Sequence, residues 1–147
     1  MYLEDFTVGW SMDLEPFTLT EEQIIEFAET YDPRDIHTNR EEAEKSQFKG
    51  LIASGYQTLA VSWGQFVHTK LDAEGVVAGR RINNVEWLLP TYPNTPYTGH
   101  LEVTQVDMVR EDRGDVQFYL EVKNPEGEIT TKITVTAYMR TRPEQAQ

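Results

Sequence analysis

Cysteine is absent from this 147-residue chain, which excludes disulfide staples, thiol redox chemistry and any zinc site built on thiolates. Histidine is scarce. His37, His68 and His100 are the only three, with no HxH or HExxH grouping, so a dedicated metal site would have to be mostly carboxylate, and neither metal nor cofactor is expected. Basic residues are outnumbered, 13 Lys and Arg against 25 Asp and Glu, for a formal net charge of -12. That balance repels phosphate backbones and anionic lipid alike, so nucleic acid is not an expected partner and the charge reads as a solvated surface. No run approaches the ~18 apolar residues of a membrane span. The start, Met1-Tyr2-Leu3-Glu4-Asp5, lacks the basic and apolar regions of a secretory leader. A soluble, cytoplasmic protein with no membrane partner is expected. Internal repeats, low-complexity segments and linkers are missing too, so residues 1–147 read as a single domain with a core of its own, ending in a disordered tail over 143–147.

What is present divides the chain in two. Residues from Gly9 to Phe17 roughly alternate, which predicts a short first strand. Thr20 and Gln23 have capping-box spacing ahead of the apolar positions Ile24, Ile25, Phe27 and Ala28, so a helix is expected there, ending near Tyr31 because Asp32 precedes Pro33. Asn39 caps a second, short, charged helix through Lys45, and Phe48-Lys49-Gly50 turns the chain. The run from Leu51 to Val67 carries no charge and predicts a helix buried on most sides. Beyond Gly75 extended runs take over: Val76 to Leu89, Gly99 to Val109, Val116 to Val122 and Ile129 to Arg140. Turn sequences at Asp112-Arg113-Gly114-Asp115 and Asn124-Pro125-Glu126-Gly127 predict an antiparallel meander, with a bulge near Gln105-Val106 where alternation slips. A long apolar helix followed by a curved antiparallel sheet able to wrap it is an α+β solution, compatible with a hot-dog fold.

The stretch with chemical content is Tyr31-Asp32-Pro33-Arg34-Asp35-Ile36-His37, read as a polar loop between two helical segments. A carboxylate and an imidazole lie five residues apart in it and can share one water, and these are the side chains best suited to moving protons near neutral pH. The plainer role of Asp32 is a helix-terminating turn residue, and that of His37 is structural.

On these residues the chain resembles the MaoC-like dehydratases, the group that includes the (R)-specific enoyl-CoA hydratases. Their signature runs Asp, any residue, Asn, Pro, an aliphatic residue, His; here it is Asp32-Pro33-Arg34-Asp35-Ile36-His37, with Arg34 and Asp35 in place of Asn and Pro. Phe48-Lys49-Gly50-Leu51-Ile52-Ala53-Ser54-Gly55 is similar to the segment leading into the family's central helix. Val85-Glu86-Trp87-Leu88-Leu89-Pro90 is similar to the strand before a Pro-x-x-x-Gly-Asp turn, although Thr91-Tyr92-Pro93-Asn94-Thr95-Pro96 departs from that turn. The resemblance implies a hot-dog fold and an enzyme that adds or removes water across the 2,3 double bond of an acyl thioester of coenzyme A or acyl-carrier protein. It implies catalysis by Asp32 and His37, with the two proton-transfer roles unassigned. The Gly55 backbone amide would stabilise the thioester oxyanion, and Ala53, Ser54 and Tyr56 would contact substrate. It further implies a homodimer or higher homo-oligomer joined through sheet edges.

Other readings of the same residues stand beside these. A hot-dog thioesterase or a non-catalytic acyl-binding subunit would use the same helix terminus. Ser54 suits helix capping as well as a bond to loop or substrate, and Tyr56, Trp63 and Phe66 have the spacing of core or pocket lining. His68 and His100 read as solvent-facing. Arg80 and Arg81 suit the phosphates of coenzyme A, but the neutralising of neighbouring acids is preferred.

Overall fold

The computed structural model describes residues 1–144; residues 145–147 of the expected disordered tail lie outside the described residues. After a 3-10 turn at Leu3–Asp5 come strand β1 (Ser11–Asp13) and helices α1 (Glu21–Tyr31), α2 (Asp35–Thr38), α3 (Arg40–Lys45) and α4 (Gly55–His68). Strands β2 (Val76–Trp87), β3 (Thr98–Arg110), β4 (Arg113–Lys123) and β5 (Ile129–Arg140) complete the chain.

Local signals account for the helix boundaries. At the start of α1 the Gln23 amide donates to Thr20 Oγ1 at 3.1 Å and the Thr20 amide donates to Gln23 Oε1 at 2.9 Å, a closed capping box. The helix stops at Asp32, whose φ of -154° leaves helical geometry ahead of Pro33. The Asn39 side chain caps α3 by accepting the Glu42 amide at 3.1 Å.

Several expectations need correction. The first strand shrinks to Ser11–Asp13, because Gly9 turns the chain at φ 94° and Pro16 has no amide to donate; Phe17 keeps only a bridge to Tyr97. The strands do not form one continuous meander. The sheet is antiparallel in the order β1-β3-β4-β5-β2, so β2 pairs with β5 rather than with β3, its successor in sequence. The connection from Trp87 to Thr98 carries Pro90, Pro93 and Pro96 and cannot close a tight hairpin. The β3 bulge falls between Val103 and Gln105, at Thr104, slightly before the expected place. The turn expected at 112–115 is shorter, since Arg113, Gly114 and Asp115 already belong to β4.

The run from Leu51 to Val67 is also only partly helical. Leu51 to Ser54 is an extended strap and α4 begins at Gly55. Nor is α4 buried on most sides: Gln57, Thr58, Ser62 and Phe66 face inward, whereas Tyr56 and Val67 are exposed. One sheet covers one helix face. Strand β4 alternates strictly, burying Gly114, Val116, Phe118, Leu120 and Val122. Phe118 is the centre of an aromatic cluster, with ring centroids 5.3 Å from Phe6, 5.6 Å from Trp63 and 5.3 Å from Phe66, and this fastens α4 to the sheet.

Candidate functional site

The site forms where the segment after α1 meets the strap 51–54 and the first turn of α4. The Arg34 amide donates to Asp32 O at 2.7 Å, turning the chain tightly around Pro33. The amides of His37 and Thr38 then donate to Arg34 O at 2.9 and 3.1 Å, closing the single turn of α2. The segment read as an open polar loop therefore contains a helical turn, and that turn swings the His37 ring back over Asp32.

His37 is buried, and its Nδ1 lies 2.7 Å from the carbonyl oxygen of Ile52. A carbonyl only accepts, so Nδ1 carries the proton and donates it. That leaves Nε2 facing Asp32 Oδ2 at 3.4 Å. Asp32 Oδ2 also accepts the Ser54 hydroxyl at 2.8 Å, and Arg34 Nε stands 3.1 Å from the other oxygen, Oδ1. The Asp32 side chain is only 15% exposed, while that of Arg34 is 78% exposed and sits at the rim.

Ser54 combines the two roles its sequence position offered: its Oγ accepts the Tyr56 amide at 3.3 Å as the α4 N-cap while donating to Asp32. It is fully buried behind the cleft wall. Gly55 is the first residue of α4, where helix amides lack intrahelical acceptors, and among the described residues its amide makes no hydrogen bond. The Trp87 indole N–H donates to Gly55 O at 3.0 Å. A Cβ on Gly55 would come within 2.6, 2.8 and 2.9 Å of three Trp87 ring atoms, so this glycine is required by the indole packed against it.

A cleft of about 360 Å³ opens over these groups. Asp32, Arg34 and His37 line it together with Ala53, Gly55, Tyr56 and Thr58 of the strap and helix, and with Trp87, Leu89 and Thr91. Ala53 is buried and its amide donates to Thr91 O at 2.8 Å. The rim beyond Thr91 is braced by Tyr97, whose hydroxyl accepts the Tyr92 amide at 2.8 Å; burial pushes the Tyr97 phenol pKa up, so it remains a hydroxyl. Thr58, Trp87 and Thr91 were not among the residues the sequence nominated. Trp87 and Thr91 meet the helix across more than thirty residues of chain, and only the three-residue spacing of Thr58 from Gly55 could have marked it.

The remaining candidates fall outside the cleft. His68 is exposed, and His100 is exposed with Nδ1 2.8 Å from Asp13 Oδ1 across the β1–β3 pair. Arg80 and Arg81 lie 3.2 and 3.9 Å from the Asp115 carboxylate, the neutralising role preferred above. Among the described residues no group of three or more His, Asp or Glu is placed to hold a metal, and no helix is long and apolar enough to cross a membrane.

Comparison with known proteins places the chain in a family and a fold. The family described as "MaoC like domain" matches residues 5–125. The chain belongs to the MaoC-like family. An uncharacterized Bacillus subtilis protein, YdeM, is 31% identical over 139 residues, covering 90% of this chain and 99% of its own. A structure described as a monoamine oxidase regulatory protein from Archaeoglobus superposes with a TM-score of 0.90 at 31% identity, over 97% of this chain and 96% of that one. The MaoC-like dehydratase of Rhodospirillum rubrum gives a TM-score of 0.88 at 29% identity, over 98% and 99% of the two chains. This MaoC-like chain has the expected hot-dog fold, an α+β architecture in which the antiparallel sheet wraps α4.

Proposed function

We propose that the protein is a hydro-lyase that adds water to, or removes it from, the 2,3 double bond of an acyl thioester carried on coenzyme A or acyl-carrier protein. The observation that carries this reading is the 3.4 Å approach of His37 Nε2 to Asp32 Oδ2 in a cleft walled by the free Gly55 amide. A water in that cleft is within reach of both groups. In the hydration direction its oxygen bonds to C3, one of its protons passes to the pair, and the pair delivers a proton to C2. Dehydration retraces these steps. Asp32 and His37 act as one coupled unit with one transferable proton. Charge developing on the thioester oxygen is met by the Gly55 amide at the positive end of α4, an interaction commonly worth a few kcal/mol, about 3 for one such donor. Ser54 holds the carboxylate in register, and Ala53 and Tyr56 flank the acyl group.

The same reading includes a homodimer. Twelve-residue β2 is an outer strand of the sheet, with Val77, Ile82 and Trp87 exposed along it, and the outward face of α4 exposes Tyr56 and Val67. An unpaired edge of this length is a liability that pairing with a second copy removes. Light scattering after size exclusion should give twice the 17.0 kDa chain mass.

The test of the chemistry is incubation with crotonyl-CoA. Loss of enoyl absorbance without free thiol is the expected result, with Asp32→Asn and His37→Ala each slower by at least about 100-fold. Thiol release would assign a thioesterase instead. Unchanged rates in both variants would remove the pair from the chemistry.

A further inference from the structure

Two threonines give the cleft a feature that water addition does not use. Thr58 and Thr91 both line it, at 1% and 4% exposure, and their hydroxyl oxygens lie 3.1 Å apart. Two hydroxyls bring two protons, and the bond between them uses one. The second proton finds no acceptor among the described residues, on backbone or side chain. A buried donor without an acceptor is unfavourable and in native structures is matched by a ligand or a water. The neighbouring wall is apolar, formed by Ile52, Ala53, Leu89 and Pro90.

We propose that the Thr58–Thr91 pair is a specificity-determining donor, which hydrogen-bonds a neutral oxygen carried by the acyl group beyond its reacting carbons: a keto, hydroxyl or ether oxygen. This rests on the hydro-lyase reading of the same cleft. A neutral oxygen fits better than a carboxylate, because Arg34, the cation lining the cleft, is at the exposed rim beside Asp32, and a charge buried among apolar walls needs a partner. Helix geometry sets the reach. Thr58 follows Gly55 by three residues on the same face, an advance of about 4.5 Å, or roughly three to four carbon–carbon bonds beyond a thioester carbonyl held at Gly55. The acceptor therefore falls near the fifth carbon of the acyl chain.

The experiment compares 2-hexenoyl-CoA with 5-oxo-2-hexenoyl-CoA as substrates, and hexanoyl-CoA with 5-oxohexanoyl-CoA as ligands in calorimetry. The wild-type chain is expected to favour the oxygenated member by at least about 10-fold in kcat/KM and in Kd. In Thr58→Val/Thr91→Val, which keeps side-chain shape, that ratio should fall to about 1 in both measurements. Thr58→Ser and Thr91→Ser should retain the preference. An oxygen preference in binding that the double variant loses supports the inference even where no enoyl thioester turns over, a result that would sink the hydro-lyase reading alone. Equal affinities for the two saturated ligands, or a preference that survives the double variant, overturn it and leave the pair a water site. Should the double variant fail to fold, equal wild-type affinities still overturn the inference, and the single variants Thr58→Val and Thr91→Val take its place, with loss of the preference in either supporting it and its survival in both overturning it.

Discussion

Ser54 offers the sharpest test of how this site is held, because one buried hydroxyl does two separable jobs. As N-cap of α4 it accepts the Tyr56 amide at 3.3 Å, and it donates to Asp32 Oδ2 at 2.8 Å. Replacement by Ala removes both. Loss of a capping side chain costs about 1 kcal/mol. Loss of a hydrogen bond to a largely buried carboxylate adds about 1.5–3 kcal/mol. Ser54→Ala should therefore unfold in urea with a free energy lower by about 2.5–4 kcal/mol and an unchanged m-value. Glycine separates the jobs. As an N-cap it is poorer than Ser by only about a few tenths of a kcal/mol, yet it leaves Asp32 as bare as Ala does. Ser54→Gly should be the more stable variant, while both should lose hydration rate alike, about 10–100-fold, because a carboxylate freed on one side drifts from its place. A wild-type rate in Ser54→Gly would refute the positioning role, and a loss under about 0.5 kcal/mol in Ser54→Ala would refute the stability argument.

Further outcomes follow from contacts elsewhere. Gly55→Ala should destabilise the protein by about 1–2 kcal/mol, because its Cβ displaces the Trp87 indole and breaks the 3.0 Å bond to Gly55 O. In a Trp87→Ala background the same substitution should be neutral or better, so urea melts of the four chains should show strong non-additivity; additive effects would mean the two residues do not clash. Burial first, then the hydrogen bond to Glu121 and the charges of Glu121 and Glu86, push the Tyr119 phenol up to about 12. Between pH ~10 and that value the unfolded chain releases a proton the folded chain keeps, so stability should fall as pH rises. Tyr119→Phe should flatten this slope in melts across the alkaline range.

The parts of this molecule legible in sequence are those fixed by neighbours a few residues away. Thr20 with Gln23, Asp32 before Pro33 and Asn39 ahead of Glu42 each set a boundary through bonds spanning no more than four residues. The β4–β5 hairpin at Asn124–Gly127 is of the same kind. The α+β layering and the Asp32–His37 spacing were readable from the residues, and the resemblance added the oxyanion role of Gly55. What escaped depends on distant chain. The prolines after β2 argue against a tight hairpin to β3, but nothing near β2 indicates that its partner is β5. The bond from the buried His37 ring to Ile52 O spans fifteen residues. Trp87 and Thr91 reach the cleft through contacts with Gly55 and Thr58 that no short-range pattern carries.

The departure of Arg34 and Asp35 from the family signature can be judged by where those residues sit. Asp35 is the first residue of α2, the position at which proline is favoured in a helix; an acid there suits the helix terminus equally well. Arg34 is the N-cap, with the extended φ of -90° and ψ of 146° an N-cap requires, but it makes no capping bond through its side chain. Asparagine is among the best caps, so the chain has exchanged a cap for a cation facing Asp32. Because α2 is closed by backbone bonds to Arg34 O, the exchange leaves the Asp32–His37 approach intact. Arg34→Asn should therefore fold normally. It gains up to about 1 kcal/mol from the cap and loses at most about that from an exposed ion pair, for a net change near zero in urea melts. A loss above about 2 kcal/mol would mean that Arg34 supports the turn in a way its exposed side chain does not show.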